Sequence, residues 1–305
     1  MTKSRRAWPR LTMRRRETVA FYAFMSPWII GMVFLFAMPL VVTLGLSFTK
    51  WNLIQPPTWV GFANYARLLF GHGSSFIKAL GNTAYYAALL VPINLILSLV
   101  FATLLNQVTA LRRFLRTAFY LPSTLPIVAV VMLWSWLLAP AGFLNQGLGL
   151  LGIHGPAWLV DPRWIKDGLI IMGAWQFGGS LVLFLSGMQG IPLSYYEAAE
   201  LDGAGGWRRF RHITLPMLSP IILFNLITGV IAALQVFAQV FIITGGHNPG
   251  AQMIVPAVYQ NAFTFYQMGD ASAISVMFVL LILILTMLIL RSSRYWVHYE
   301  GDDDE

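Results

Sequence analysis

The chain has 305 residues, of which 57% are apolar and only 10% charged, with a mean hydropathy of +0.68 and a formal net charge of +8. Water does not keep so apolar a chain dispersed as a soluble domain, and the composition is that of a polytopic membrane protein. The absence of cysteine excludes disulfides and thiolate metal sites. The five histidines, His72, His154, His212, His247 and His298, stand singly and offer no metal-ligand spacing.

In chain order, residues 1–20 form a basic N-terminus. An apolar run over 21–48 follows, too long for the core of a cleavable signal and read as a retained first helix. Residues 49–77 are rich in Trp, Pro and Gly and long enough for a small structured cap. Further spans are expected over 78–105 and 114–138, the latter carrying Pro122 and Pro126 and expected to kink near its cytoplasmic end. A second cap covers 139–167, a fourth span 168–190, a charged segment 191–215 and a fifth span 216–243. The loop 245–270 contains an aromatic stretch too short to cross, expected at the mouth of a pathway. The sixth span, 271–290, has no charge, and residues 292–305 are a tail ending in the acidic run Glu300–Glu305. Each span approaches or exceeds the roughly 20 residues that a hydrocarbon core requires. Continuous apolar runs exclude the period-two segments of a β-barrel. The fold class is therefore all-α, with six transmembrane helices.

Fifteen of the twenty Lys and Arg residues fall on one side of these spans. They include Arg14, Arg15 and Arg16, then Arg112, Arg113 and Arg116, then Arg208, Arg209 and Arg211, and finally Arg291 and Arg294. The positive-inside rule places that side, with both termini, in the cytoplasm. Anionic lipid headgroups account for the basic bias, so nucleic acid is not an expected partner.

The segment from Tyr196 to Pro216 is a charged island in this apolar chain. Glu197, Glu200 and Asp202 lie within about fifteen residues of Arg208, Arg209 and Arg211. Ser194, three residues before Glu197, has the spacing of a capping box and predicts a short helix starting near Tyr195. Gly203 permits a turn, and Leu215-Pro216 suits the first turn of the fifth span. The expected product is an amphipathic helix across the cytoplasmic face, held to the bundle by Leu201 and Trp207. A plain interfacial loop with solvated charges is the alternative reading of the same pattern.

The spacing of Glu197-Ala198-Ala199, Gly203, Ile213 and Leu215-Pro216 resembles the EAA loop of ABC importer permeases. The surrounding IPLSYYEAAELDGAGGWRRFRHITLPMLSP is similar to the carbohydrate-uptake branch, the maltose and glycerol-phosphate type. Val60 to Tyr65, with its GxxNY pattern, resembles that family's external segment. Phe114, Arg116 and Leu121-Pro122 resemble its third helix, and Leu234 to Phe237 with Gln239 and Thr244 to Gly246 the end of its fifth. Ala238 departs from the pattern, where many relatives carry Asp.

The resemblance implies the MetI-like permease fold in a bacterial inner membrane. It implies a second, different permease as partner, two ATPase subunits carrying ATP-Mg, and an extracytoplasmic solute-binding protein. It makes Glu197, Ala198, Ala199, Asp202, Gly203, Ile213, Leu215 and Pro216 the ATPase-coupling residues. The chain itself would bind no cofactor and catalyse nothing. In agreement, none of the four lysines follows a glycine, as a P-loop requires. The acidic residues lie outside the expected spans or at their edges, which disfavours ion coupling and with it a secondary transporter or channel. A membrane-embedded enzyme would have only the Glu197–Asp202 cluster to work with.

For the solute path, helical spacing places Asn225, Thr228, Ala232, Gln235 and Gln239 within an arc of about 80° on the fifth span. Gly229 and Ala233 flank that arc as a small-residue pair. Gln176, Ser180 and Gly187 share a face of the fourth. Uncharged amides facing a cavity exchange hydrogen bonds with sugar hydroxyls, and Trp134 or Trp175 would stack on a sugar face. The same amides would serve equally as interhelical bridges. Asn225, Gln235, Gln239 and Gln176 are the expected pathway residues for a sugar, with glycerol phosphate or another non-sugar solute as the alternative.

Overall fold

The computed structural model describes residues 13–71, 75–107 and 111–298. The expected basic N-terminus, up to residue 12, and the acidic run Glu300–Glu305 lie outside these residues.

The described residues are mostly helical. The first span, Met13–Leu46, consists of α1 (Met13–Gly31), a π-helical turn (Met32–Ala37) and α2 (Met38–Leu46). None of its apolar window is buried in the monomer. It touches the bundle chiefly where α2 meets the last helix. Beyond it, β1 (Thr49–Lys50) pairs antiparallel with β2 (Thr58–Trp59), Thr49 opposite Trp59 and Lys50 opposite Thr58. The short helix α3 (Ala63–Phe70) follows.

The centre of the bundle is α4 (Ser75–Gln107), which packs against most of the other spans. The third span is two helices, α5 (Arg112–Thr124) and α6 (Ile127–Leu137), meeting at 98°. Pro126 lacks the amide hydrogen a continuing helix needs and pushes Leu125 into an extended conformation (ψ 141°). The bend thus falls mid-span rather than near the cytoplasmic end. After α7 (Phe143–Leu150) comes the fourth span, divided into α8 (Ile165–Ala174) and α9 (Gly178–Gly190).

Next stand α10 (Leu193–Leu201), α11 (Gly206–Arg209), a π-helical turn (Phe210–Thr214) and the single turn α12 (Leu215–Met217). The fifth span is also divided, into α13 (Ser219–Leu234) and α14 (Ala238–Thr244). The short helix α15 (Ile254–Tyr259) packs on α4 and on the final helix, α16 (Met268–Ser293).

The main core joins α4, α6, α8, α13, α15 and α16 through residues such as Leu90, Val130, Ile165, Leu169, Leu234, Ile254 and Ile274. A second cluster, around Ala102, Leu181, Phe184, Leu185 and Leu218, closes the end of the bundle that carries α10. At the opposite end the buried Asn64 donates to the carbonyls of Ser47 and Thr49 at 2.8 and 2.9 Å, Tyr65 donates to Ser47 Oγ at 2.6 Å, and Arg67 pairs with Asp270. These contacts tie the end of the first span to the start of the last. At the α10 end, the His298 amide donates to Ser219 Oγ at 2.9 Å, which brings the last described residue to the foot of α13.

Candidate solute cavity and coupling segment

The division of the fourth and fifth spans builds a polar cavity inside the bundle. Between α8 and α9, Trp175 to Phe177 form a turn in which the Gln176 amide reaches back to Gly173 at 3.1 Å, one residue short of helical spacing. Between α13 and α14, Gln235 ends the helix and Phe237 (φ −136°, ψ −62°) breaks it. A break at membrane depth leaves backbone groups unpaired, which neighbours must satisfy. For the fourth span α4 does this: Ser98 Oγ lies 3.0 Å from the Phe177 carbonyl and Asn94 Nδ2 lies 3.5 Å from that of Gly173.

Both breaks face one cavity of about 570 Å³. All four expected pathway residues, Gln176, Asn225, Gln235 and Gln239, line it, with Ser180, Gly229, Ala232, Ala233 and Ala238. Sequence spacing alone does not explain this convergence, because Gln239 belongs to α14, beyond the break, and not to the face of α13. Thr228 and Gly187 do not line the cavity. Thr228 is exposed and donates back to Phe224 at 2.8 Å, while Gly187 faces Ile221 and Leu218 across the α9–α13 packing. Neither Trp134 nor Trp175 lines the cavity. They pack on each other edge to face at 5.9 Å, and Phe237 and Tyr86 are the aromatic groups at the wall.

The cavity also has a wall that the amphipathic readings passed over: Tyr86, Leu90, Val91, Asn94 and Leu95 of α4. Asn94 and Ser98, four residues apart in an otherwise apolar stretch, were the available signal. Among the described residues, Asn94 Oδ1 and Trp134 Nε1 are buried without a hydrogen-bond partner. Each such group costs about 1–3 kcal/mol, and native proteins retain few of them without a functional reason. Every side chain on the cavity wall is uncharged.

The segment expected to couple to an ATPase differs from its predicted form in two respects. First, α10 starts at Leu193 after Pro192 and has no side-chain cap. Ser194 therefore lies inside the helix and makes no capping box, because Pro192 has already fixed the backbone for the first turn. Second, Leu201 and Trp207 do not hold the segment to the bundle: they are 91% and 74% exposed. The internal tether is instead Tyr196, whose hydroxyl lies 2.9 Å from Thr214 Oγ1, with Arg209 paired to Glu200 at 3.2 Å. Gly203 sits at φ +72°, where a side chain would be strained, and turns the chain between α10 and α11. Glu197, Ala198, Asp202 and Gly203 are exposed, Ala199 and Ile213 half-buried. Leu215 and Pro216 form the turn leading into α13.

Residues 94–298, which contain most of the cavity wall and all of α10 to α12, match the family described as "Binding-protein-dependent transport system inner membrane component". The chain belongs to this family. Over 295 residues it is 37% identical to the "Probable ABC transporter permease protein YesP" of Bacillus subtilis, covering 95% of each chain. It is 32% identical to the "Lactose transport system permease protein LacF" of Rhizobium radiobacter, over 93% of this chain and 97% of the relative. A solved structure described as "Crystal structure of a bacterial ABC transporter involved in the import of the acidic polysaccharide alginate" matches with a TM-score of 0.79 at 25% identity, over 92% of this chain and 97% of the other.

The protein is thus a permease of a binding-protein-dependent ABC importer, a multi-pass inner-membrane protein with the MetI-like fold. It is a transport subunit and not an enzyme. No group of three or more His, Asp or Glu side chains suited to a metal ion occurs among the described residues. Ala238 is the first residue after the fifth-span break and adds no polar group to the cavity wall.

Proposed function

We propose that this permease forms one half of the import path for a neutral sugar or sugar-like solute. The carrying observation is the cavity at which two broken spans present Gln176, Asn225, Gln235 and Gln239 together. Its volume suits a small-molecule site, and its amides and hydroxyls match the donors and acceptors of a polyol. A glycerol phosphate or other anion is less well served, since this half of the path supplies no cation to the wall. Names of relatives such as the lactose permease support the same solute class.

In this reading a second, different permease completes the path, an extracytoplasmic binding protein delivers solute, and both termini lie in the cytoplasm. Two ATPase subunits carrying ATP-Mg dock beneath α10. Glu197, Ala198, Ala199, Asp202 and Gly203 engage the ATPase, while Ile213, Leu215 and Pro216 transmit its movement to α13. Supporting this is the exposed, internally braced form of α10, a short lever whose apolar and acidic groups face away from the bundle.

Cells carrying the complete importer with Gln235→Ala and Gln239→Ala should assemble it normally yet show altered uptake kinetics. Unchanged kinetics for every accepted solute would remove these residues from the path.

A further inference from the structure

At the end of the bundle opposite α10, the end of β1, α3 and the start of α16 enclose a separate cavity of about 270 Å³. It shares no lining residue with the cavity at the two broken spans. Its floor is closely packed: Asn64 is buried, and a side chain on Gly269 would collide with the Thr49 carbonyl. Its rim is Lys50, Trp51 and Asn52 on one side and Phe265 and Gln267 on the other. The two sides are joined where the Met268 amide donates to the Trp51 carbonyl at 2.9 Å.

Among the described residues, Leu53 and Tyr266 are the two other than glycine with a left-handed φ, +65° and +55°. Leu53 follows Asn52, and Tyr266 separates Phe265 from Gln267, so both lie on this rim. A side chain makes such a backbone costly, and it persists where surrounding contacts fix it. The rim is therefore built in one shape before anything binds.

What the rim presents is unused by the chain itself. Lys50, Phe265 and Gln267 are exposed. Among the described residues, the Lys50 ammonium, the Trp51 indole N–H and the Gln267 side-chain amide make no hydrogen bond or ion pair. Nearby, Phe48, Trp59, Phe62 and Tyr65 pack on one another, whereas the rings of Trp51 and Phe265 pack on no other aromatic among the described residues. Arg67 is paired with Asp270, which leaves Lys50 as the uncompensated charge of the cavity. An ammonium, an indole N–H and an amide flanked by two rings match a carboxylate on an apolar stem, the side chain of Asp or Glu. Size favours a protruding side chain over a free solute, because small-molecule sites hold about 300–1,000 Å³ and this cavity falls below that range.

We propose that this cavity receives an acidic side chain of the solute-binding protein, its carboxylate on Lys50 and its stem between Trp51 and Phe265. The proposal rests on the reading above, in which such a protein delivers solute at the face opposite the ATPases. A preformed rim with an aromatic anchor lowers the ordering cost of docking, and a lone cation steers an acidic partner to it.

The test uses the full importer, with its companion permease and ATPase subunits, in nanodiscs, and measures the Kd of its own solute-binding protein. Lys50→Gln should raise Kd about fivefold, the upper range for an exposed ion pair, and flatten its dependence on salt. Lys50→Arg should restore both. Trp51→Ala should raise Kd at least as much, since aromatic anchors dominate such contacts. Equal Kd in the wild type, Lys50→Gln and Trp51→Ala overturns the proposal while leaving delivery by a binding protein intact. A wild-type importer that binds no such protein overturns that delivery reading and the proposal with it. Loss of the companion permease from the Lys50→Gln complex would make the cavity a subunit contact, and an effect confined to anionic nanodiscs would make it a lipid contact; either result also overturns the proposal.

Discussion

Ser98 shows how a single hydroxyl sustains the architecture of the cavity. It is fully buried, and its Oγ lies 2.6 Å from the Asn94 carbonyl and 3.0 Å from that of Phe177. Ser98→Ala should lower the stability of the purified chain by about 1 kcal/mol, read as a fall in the thermal unfolding midpoint in detergent. A variant as stable as the wild type would show that the Phe177 carbonyl finds another donor. Residue types in the sequence made Gln176, Asn225, Gln235 and Gln239 legible as uncharged polar groups within spans. Their meeting at one wall was not legible, because helical spacing assumes an unbroken helix and Gln239 stands after a break. The same limit explains Trp134 and Trp175: each has the chemistry to stack on a sugar, but mutual packing turns both away from the cavity.

At the scale of elements, α10 is the clearest case of a helix set by its position in the chain rather than by its side-chain caps. Pro192 starts it and Gly203 ends it, so Glu197 and Asp202 need not stabilise it and are free for a partner, while Glu200 pairs with Arg209. The exposure of Leu201 and Trp207 reverses the amphipathic reading: the apolar groups point outward, as they must if they are to be buried by another subunit. Glu197→Lys and Leu201→Asp should therefore each abolish capture of the companion ATPase from detergent extracts while leaving the amount of permease in the membrane unchanged. Undiminished capture by both variants would count against α10 as the docking element. The amphipathic pattern reported that apolar groups exist on this segment, but not which surface covers them, since a partner's surface and the chain's own core attract them by the same hydrophobic effect.

At the scale of the whole molecule, the first span stands away from the bundle and is secured at one end. Asn64, Tyr65 and Arg67, with Asp270, make that fastening. Asn64→Ala would remove a buried donor shared by two carbonyls, at a cost of about 1–3 kcal/mol, and should speed proteolysis of the hairpin between Lys50 and Thr58. Unaltered cleavage rates would show that Arg67–Asp270 suffices. By itself the sequence determined the membrane environment, the helical class and the family, because these follow from composition, from lengths of apolar chain and from one motif of fixed spacing. Pro126 likewise announced a bend. Only the tertiary structure decided where the fourth and fifth spans break, which polar groups share a cavity, that α4 supplies the hydrogen bonds for one of those breaks, and which way Leu201 and Trp207 face. The physical reason is that hydropathy and periodicity are properties of one segment, whereas a break in a membrane helix is stable only when a neighbouring helix pairs the backbone groups it frees.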